Sequence, residues 1–339
     1  MPLRPGYVAH GVVNMPFPLS RGIVAGMTAS DDHERLLGEL EISADPFAVC
    51  ALEGACSLGL GRNPGATLHY VLGGRGDLRL QSWAPIPLMP GRLVLVPSSM
   101  RHSLLNAGGP QTGLSTCEPA GLNLASHVAK GAKDGNMLVL CSTISLGLRN
   151  THGLIDLLRT PLSLDLAASP LADRAMEGLI MEMTHPRAGR RAMIRALLLQ
   201  CMIEMLRSRL EARDTAVTWM RGLVDPGLWQ ALRVMLDDPG APHSLETLAI
   251  EAGMSRSRFA ARFQVAYGQG PMGFLRALRL ARAAQLLTQG QEPVERIARK
   301  VGFASRSAFT RAFTEVWGVT PRGFRRDAAA SVTTRDGRA

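Results

Sequence analysis

The sequence predicts an α+β chain of several domains: a strand-rich N-terminal β-barrel, a helical middle, and an all-α C-terminal domain with two helix-turn-helix units. Three observations predict it. From about residue 36 to 117, short apolar runs are broken by Gly, Pro, Asn and Asp, the texture of consecutive strands. From 171 onward the breakers thin out and good helix formers (Leu, Met, Ala, Arg, Glu) take over. After Pro226 the pattern is helical throughout and repeats itself. The 339 residues allow more than one domain of about 100–200 residues. With 46% hydrophobic and 19% charged residues, overall disorder is excluded.

In chain order, residues 1–30 are punctuated by Pro2, Pro5, Pro16 and Pro18 and hold no apolar core of a signal peptide. No run reaches the roughly 18 apolar residues of a membrane span, so a cytoplasmic protein without a membrane partner is expected. The clearest strands are 47-FAVCAL-52, 92-RLVLVP-97 and the two halves of 67-TLHYVLGGRGDLRL-80, in which 73-GGRGD-77 reads as a hairpin turn. Helices are expected over 171–185 and 190–213. In the second, Ile194, Leu197, Leu198, Cys201, Met205 and Leu206 form an apolar stripe at helical spacing. Such a stripe serves either the domain's own core or a helix–helix dimer seam. Cys50, Cys56, Cys117, Cys141 and Cys201 are odd in number and scattered, which reads as reduced thiols and not as a disulfide framework or zinc site. Cys50 and Cys56, close in sequence, keep a redox-sensing thiol open.

The C-terminal repeat is the strongest signal. Leu245, Leu248, Ala249, Gly253 and Met254 recur as Val294, Ile297, Ala298, Gly302 and Phe303; after one inserted residue, Phe259, Phe263, Tyr267, Gly268, Pro271 and Phe274 recur as Phe309, Phe313, Trp317, Gly318, Pro321 and Phe324. Each copy reads as helix, Gly-containing turn, helix. Gly253 ends the first helix in a left-handed conformation, and Ser255 and Ser305 cap the helices that follow. Between the copies, 271-PMGFLRALRLARAAQLLTQG-290 opens on Pro and closes on Gly as one rigid helix. Charge agrees: residues 226–339 hold 17 Lys/Arg against 9 Asp/Glu, a net of +8 out of the chain's +10. A second helix with a polar outer face and surrounding arginines (Arg276, Arg279, Arg282, Arg299, Arg306) points to double-stranded DNA, with two recognition helices in successive major grooves about 34 Å apart.

These residues resemble the DNA-binding domain of the AraC/XylS transcription regulators. The resemblance rests on 248-LAIEAGMSRSRFAARF-263, 271-PMGFLRALRLARAAQLL-287, 297-IARKVGFASRSAFTRAF-313 and 318-GVTPRGFR-325. It implies base-edge contacts from Arg256, Ser257, Ala260 and Ala261 in the first unit and from Arg306, Ser307, Thr310 and Arg311 in the second. Gln264 and Thr314 lie on the same outward faces. Ala260 and Ala261 stand where relatives carry long polar side chains, so the first unit is left with thymine-methyl contact or shape readout.

The strand-rich half, through 67-TLHYVLGGRGDLRL-80 and 90-PGRLVLVPSSMRHSL-104, resembles the cupin-type effector domain that precedes this DNA-binding domain in one branch of the family. That implies a small-molecule effector in the barrel mouth, with His69, Trp83 and His102 as pocket residues. Metal-binding cupins present a His-x-His pair, a Glu and a further His; here Val71 replaces the second His and no carboxylate follows, so no metal or other cofactor and no enzyme activity are expected. The full expectation is an effector domain over 1–165, a helical linker and dimerisation region over 166–222, a DNA-binding domain over 223–327 and a disordered tail over 328–339. Its partners would be operator DNA, an effector, a second copy of the chain and RNA polymerase. A thiol switch and a DNA-tethered cupin enzyme are the alternatives.

Overall fold

The structure, a computed structural model, describes residues 31–330 apart from residues 64, 81–82, 107–114, 117–124, 131–135, 150, 167–169 and 186. Residues 1–30, Cys117 and the tail from 331 lie outside the described residues.

A helix, α1 (Asp31–Glu39), leads into twelve described strands: β1 (Leu40–Glu53), β2 (Ser57–Leu60), β3 (Ala66–Gly73), β4 (Gly76–Leu80), β5 (Ile86–Leu88), β6 (Arg92–Val96), β7 (His102–Asn106), β8 (Ser115–Thr116), β9 (Ala125–Lys130), β10 (Asn136–Leu148), β11 (Thr151–His152) and β12 (Leu162–Asp165). They form two sheets, ordered β12-β6-β3-β10-β1-β9 (β11 beside β10) and β5-β4-β7-β2-β8. The expected hairpin at 73–77 is not one. β3 pairs with β6 and β10, whereas β4 pairs with β5 and β7, so the turn carries the chain from one sheet to the other. Gly74 makes the corner possible: its φ is +80°, and a Cβ there would lie 1.8 Å from the Asn136 carbonyl oxygen. A Gly-rich turn in sequence reports that the chain reverses, not which strand it pairs with.

The larger sheet is covered on both faces, which is why β3 is buried along nearly its whole length. Val71, Val94, Val139 and Cys141 face the smaller sheet and pack with Leu58, Leu78 and Leu104. Leu68, Tyr70, Leu140 and Ile144 face outward into a cluster shared with two helices, α2 (Pro170–Thr184) and α3 (Arg190–Glu211). The predicted stripe lands here. Ile194, Leu198, Cys201, Met205 and Leu206 are buried in that cluster and Leu197 packs against it, so the stripe is core of this chain.

The same cluster does not stop at residue 222. It continues through Trp219, Met220 and Leu223 into α4 (Pro226–Asp237) and on to Phe259, Phe263, Tyr267 and Phe274. Leu280, Ile297, Phe309, Phe313 and Phe324 form a separate cluster around the second repeat. At the C-terminus, the last helix runs to Ala330 with Ala328 buried, so the tail expected to be disordered from 328 is helical for three more residues.

Candidate functional site

The two repeats fold alike. The first is α5 (Leu245–Glu251) and α6 (Arg256–Tyr267); the linker is α7 (Pro271–Gln289); the second is α8 (Val294–Lys300) and α9 (Arg306–Trp317), closed by α10 (Pro321–Ala330). Gly253 and Gly302 take φ of +63° and +81° in the turns. The Ser255 and Ser305 hydroxyl oxygens accept from the backbone N–H of Arg258 and Ala308. Inside, the aromatic side chains superpose as a pattern: Phe259–Phe263 and Phe309–Phe313 at 5.4 and 5.5 Å between ring centres, Phe263–Phe274 and Phe313–Phe324 at 5.3 and 5.2 Å. Edge-to-face packing at such distances adds about 0.5–1.5 kcal/mol per pair beyond the area buried.

Because Phe259, Phe263, Phe309 and Phe313 point inward, the opposite faces of α6 and α9 are left to solvent. Arg256, Ser257, Ala261 and Gln264 are exposed on α6, with Ala260 half-buried. On α9, Arg306, Ser307, Thr310, Arg311 and Thr314 line one surface groove together with Glu315. Three of these side chains are already engaged: Gln264 donates to the Gly268 carbonyl at the end of its own helix, the Thr314 hydroxyl donates to the Thr310 carbonyl, and the Ser257 hydroxyl lies 3.5 Å from that of Ser255. Arg279, grouped in sequence with the phosphate-facing arginines, does something else. Its Nε donates to Pro239 O at 2.7 Å, and its Nη groups donate to Ala241 O at 2.8 Å and Gly302 O at 3.1 Å. It ties the linker helix to the loop before α5 and to the turn of the second unit. Sequence could not separate it from Arg276 and Arg282, because only the fold brings those carbonyls together.

In the barrel, the alternation of β3 sends His69 inward, where it meets His102 from the opposite sheet at 2.8 Å between Nε2 atoms. The line continues: His69 Nδ1 lies 3.3 Å from Cys141 Sγ, which lies 3.5 Å from Cys50 Sγ. Met100 O, 3.0 Å from His102 Nδ1, can only accept. His102 therefore carries its proton on Nδ1, His69 donates from Nε2, and Cys141 donates to His69. Sequence proximity paired Cys50 with Cys56; the fold pairs Cys50 with Cys141 on the neighbouring strand. Burial raises the thiol pKa of Cys56, and that of Cys201 to about 12, so neither supplies thiolate at neutral pH.

Both histidines are held neutral. Burial depresses His102 to about 4, and burial, with the His102 ring beside it, puts His69 well below its usual value. Protonation therefore favours the unfolded chain. Stability present above pH 6.5 should decline as pH falls from 6.5 toward 4, by roughly 3 kcal/mol for His102 alone. Urea unfolding midpoints measured between pH 4 and 8 check this: His102→Gln should flatten the acid limb, and an unchanged limb would overturn the assignment.

Above His102 the barrel opens into a cavity of about 620 Å³. Trp83 and His102 line it, with Arg62, Arg79 and Arg101 from the barrel and Val319 and Asp327 from the C-terminal domain. His69, grouped with Trp83 and His102 in sequence, sits behind His102 and not on the cavity wall.

Two family models match the chain, one described as a cupin over residues 34–211 and one described as a helix-turn-helix domain over residues 248–327. The first covers more than half of the chain. The HTH-type transcriptional regulator AlkR of Acinetobacter baylyi is 26% identical over 87% of this chain and 99% of its own length. An AraC-like transcription regulator of Streptomyces antibioticus is 35% identical over 45% of this chain and 50% of that protein, so the match spans half of that relative. The chain belongs to the AraC family of transcription regulators. This AraC-family chain is also similar to the DNA-binding domain of AdpA solved with target DNA (31% identity, 33% of this chain and 99% of that one, TM-score 0.30). Among the described residues, no helix is long and apolar enough to cross a membrane.

Proposed function

We propose that this DNA-binding regulator reads its operator mainly through α9, uses α6 for register and shape, and changes its grip on DNA when a small molecule occupies the cavity over His102 and Trp83. The observation that carries this reading is the shared groove of Arg306, Ser307, Thr310, Arg311 and Thr314, beside the apolar Ala260 and Ala261 at matching places on α6. Exposed Arg311 can pair bidentately with guanine. The two helices would enter successive major grooves about 34 Å apart. The other partners in this reading are a second copy of the chain and RNA polymerase, in the cytoplasm, with no catalytic turnover.

Arg311→Ala should cost about 1–3 kcal/mol on the selected operator and relax preference at one base pair. Binding to that operator and to random DNA at one salt concentration checks it: an equal loss on both would make Arg311 a phosphate contact. The effector coupling is reciprocal, so operator DNA should change effector affinity by the factor by which effector changes operator affinity. A thiol switch is a second reading, favoured by the 3.5 Å between Cys50 and Cys141. Two thiols lost on mild peroxide treatment with a change in operator affinity, and neither effect in a Cys50→Ser variant, would establish it.

A further inference from the structure

Three guanidiniums converge on the cavity between the barrel and the second helix-turn-helix unit. Arg62, Arg79 and Arg101 line it, and the one carboxylate among the lining residues is Asp327 of α10. The buried Nε atoms of Arg62 and Arg79 make no hydrogen bond among the described residues. Like charges are not gathered in a half-enclosed space without a counter-charge, because desolvation raises the cost of their repulsion. Burial lowers the pKa of Arg62, with Asp327 counteracting the shift and Arg101 adding to it. The rest of the wall is Leu80, Trp83, Pro85, His102, Ser103 and Val319, and Trp83 is 44% exposed. A cationic rim beside an indole face suits a flat ring bearing an anionic group.

Arg62 also holds the second unit. Its guanidinium carbon sits 4.2 Å from the centre of the Phe324 ring, and its Nη1 donates to Ser99 O at 3.0 Å. Phe324 belongs to the second unit's own cluster, against Phe313 and Trp317. Asp327 lies one helical turn beyond it on α10. Whatever draws the Arg62 guanidinium into the cavity weakens the contact that docks α10 on the barrel. A separate tie, Gln285 Nε2 donating to Asp156 Oδ2 at 2.7 Å, holds the linker helix and lies outside the cavity.

We infer that the cavity is a binding site for an aromatic carboxylate or a similar planar organic anion, which takes the place of Asp327 beside Arg62 and so loosens the second helix-turn-helix unit from the barrel. This rests on the effector reading above and names the chemical class of the effector and the contact it breaks. Asp327 is the built-in competitor. Removing its charge should therefore strengthen ligand binding, an outcome that a merely structural Asp327 would not give.

The probe is 2-naphthoate, with neutral 2-naphthamide as its control, titrated calorimetrically into the full-length protein. Naphthoate should bind at least tenfold more tightly than the amide. Asp327→Asn should tighten naphthoate several-fold and leave the amide unchanged. Arg79→Gln and Arg101→Gln, which spare the Arg62 contacts with Phe324 and Ser99, should each weaken naphthoate about tenfold. Equal affinity for acid and amide, no naphthoate binding to either wild type or Asp327→Asn, or no response to the two arginine variants would overturn the inference. Operator binding separates the two claims. Naphthoate that binds as stated but leaves operator affinity unchanged keeps the anion site and removes its effector role. A neutral compound that shifts operator affinity while naphthoate fails to bind keeps an effector and removes the anion site.

Discussion

Phe313→Ala is expected to unfold the second helix-turn-helix unit while the first unit and the barrel stay folded. Phe313 is fully buried and touches Phe309, Phe324 and Trp317. Truncating such a ring costs about 3–5 kcal/mol, of which part is the cavity left behind. The unit around it has its own hydrophobic cluster, separate from the one that runs through the barrel, helices α2 to α4 and the first unit. A segment of this size has little stability of its own to lose. The matched change Phe263→Ala removes the same ring from the other copy, but there the cavity opens in a cluster that reaches as far as Tyr70 and Ile144. It should lower the stability of the whole cooperative block without melting one unit alone. Hydrogen exchange read by mass spectrometry separates the cases. Phe313→Ala should leave amides in α8 to α10 nearly unprotected and those in α5, α6 and β3 unchanged; Phe263→Ala should lower protection in α5, α6 and β3 together. If Phe313→Ala lowered protection in the barrel equally, the two clusters would be one.

Much of this division could be read from residues alone, because a repeat of buried aromatic residues states which side chains must meet. Phe259, Phe263 and Phe274 needed no structure to be matched with Phe309, Phe313 and Phe324, and the outward faces of α6 and α9 followed by subtraction. Local chemistry was equally legible: Ser255 and Ser305 as caps, Gly253 in the turn, Pro271 and Gly290 at the ends of the linker. What sequence withheld was long-range pairing. The turn at Gly74 joins two sheets because Asn136, 62 residues away, occupies the space where a Cβ would go. Cys50 meets Cys141, not Cys56, because β1 and β10 are neighbours in the larger sheet. The cavity over His102 could not be seen either, since Asp327 and Val319 come to it from the other end of the chain.

The function of Arg279 is the sharpest instance, and replacing it should have the largest effect on recognition. Arg279→Met keeps most of the aliphatic stem and removes the fork that donates to Pro239, Ala241 and Gly302. Hydrogen bonds from a charged donor contribute about 1.5–3 kcal/mol each, and three from one group overlap, so about 3 kcal/mol in total is expected. Lysine should not rescue it, because one ammonium cannot reach three carbonyls that a planar guanidinium spans. Gly302 sits directly under the fork: a Cβ there would come within 2.8 Å of the Arg279 guanidinium carbon, so Gly302→Ala should reproduce part of the defect. The three carbonyls belong to segments on either side of the linker helix, so their loss frees the angle between the two units. Specific binding needs both recognition helices at once; random-sequence binding needs only charge. Arg279→Met should therefore collapse the ratio of operator to random-DNA affinity, by about a hundredfold if 3 kcal/mol of preorganisation is lost, and leave the salt dependence nearly as it was. A phosphate contact would behave in the opposite way, weakening both DNAs alike and lowering the salt slope by about one. Titrating operator and random duplexes at several salt concentrations tells the two apart, and a retained ratio with a shallower slope would return Arg279 to the DNA backbone.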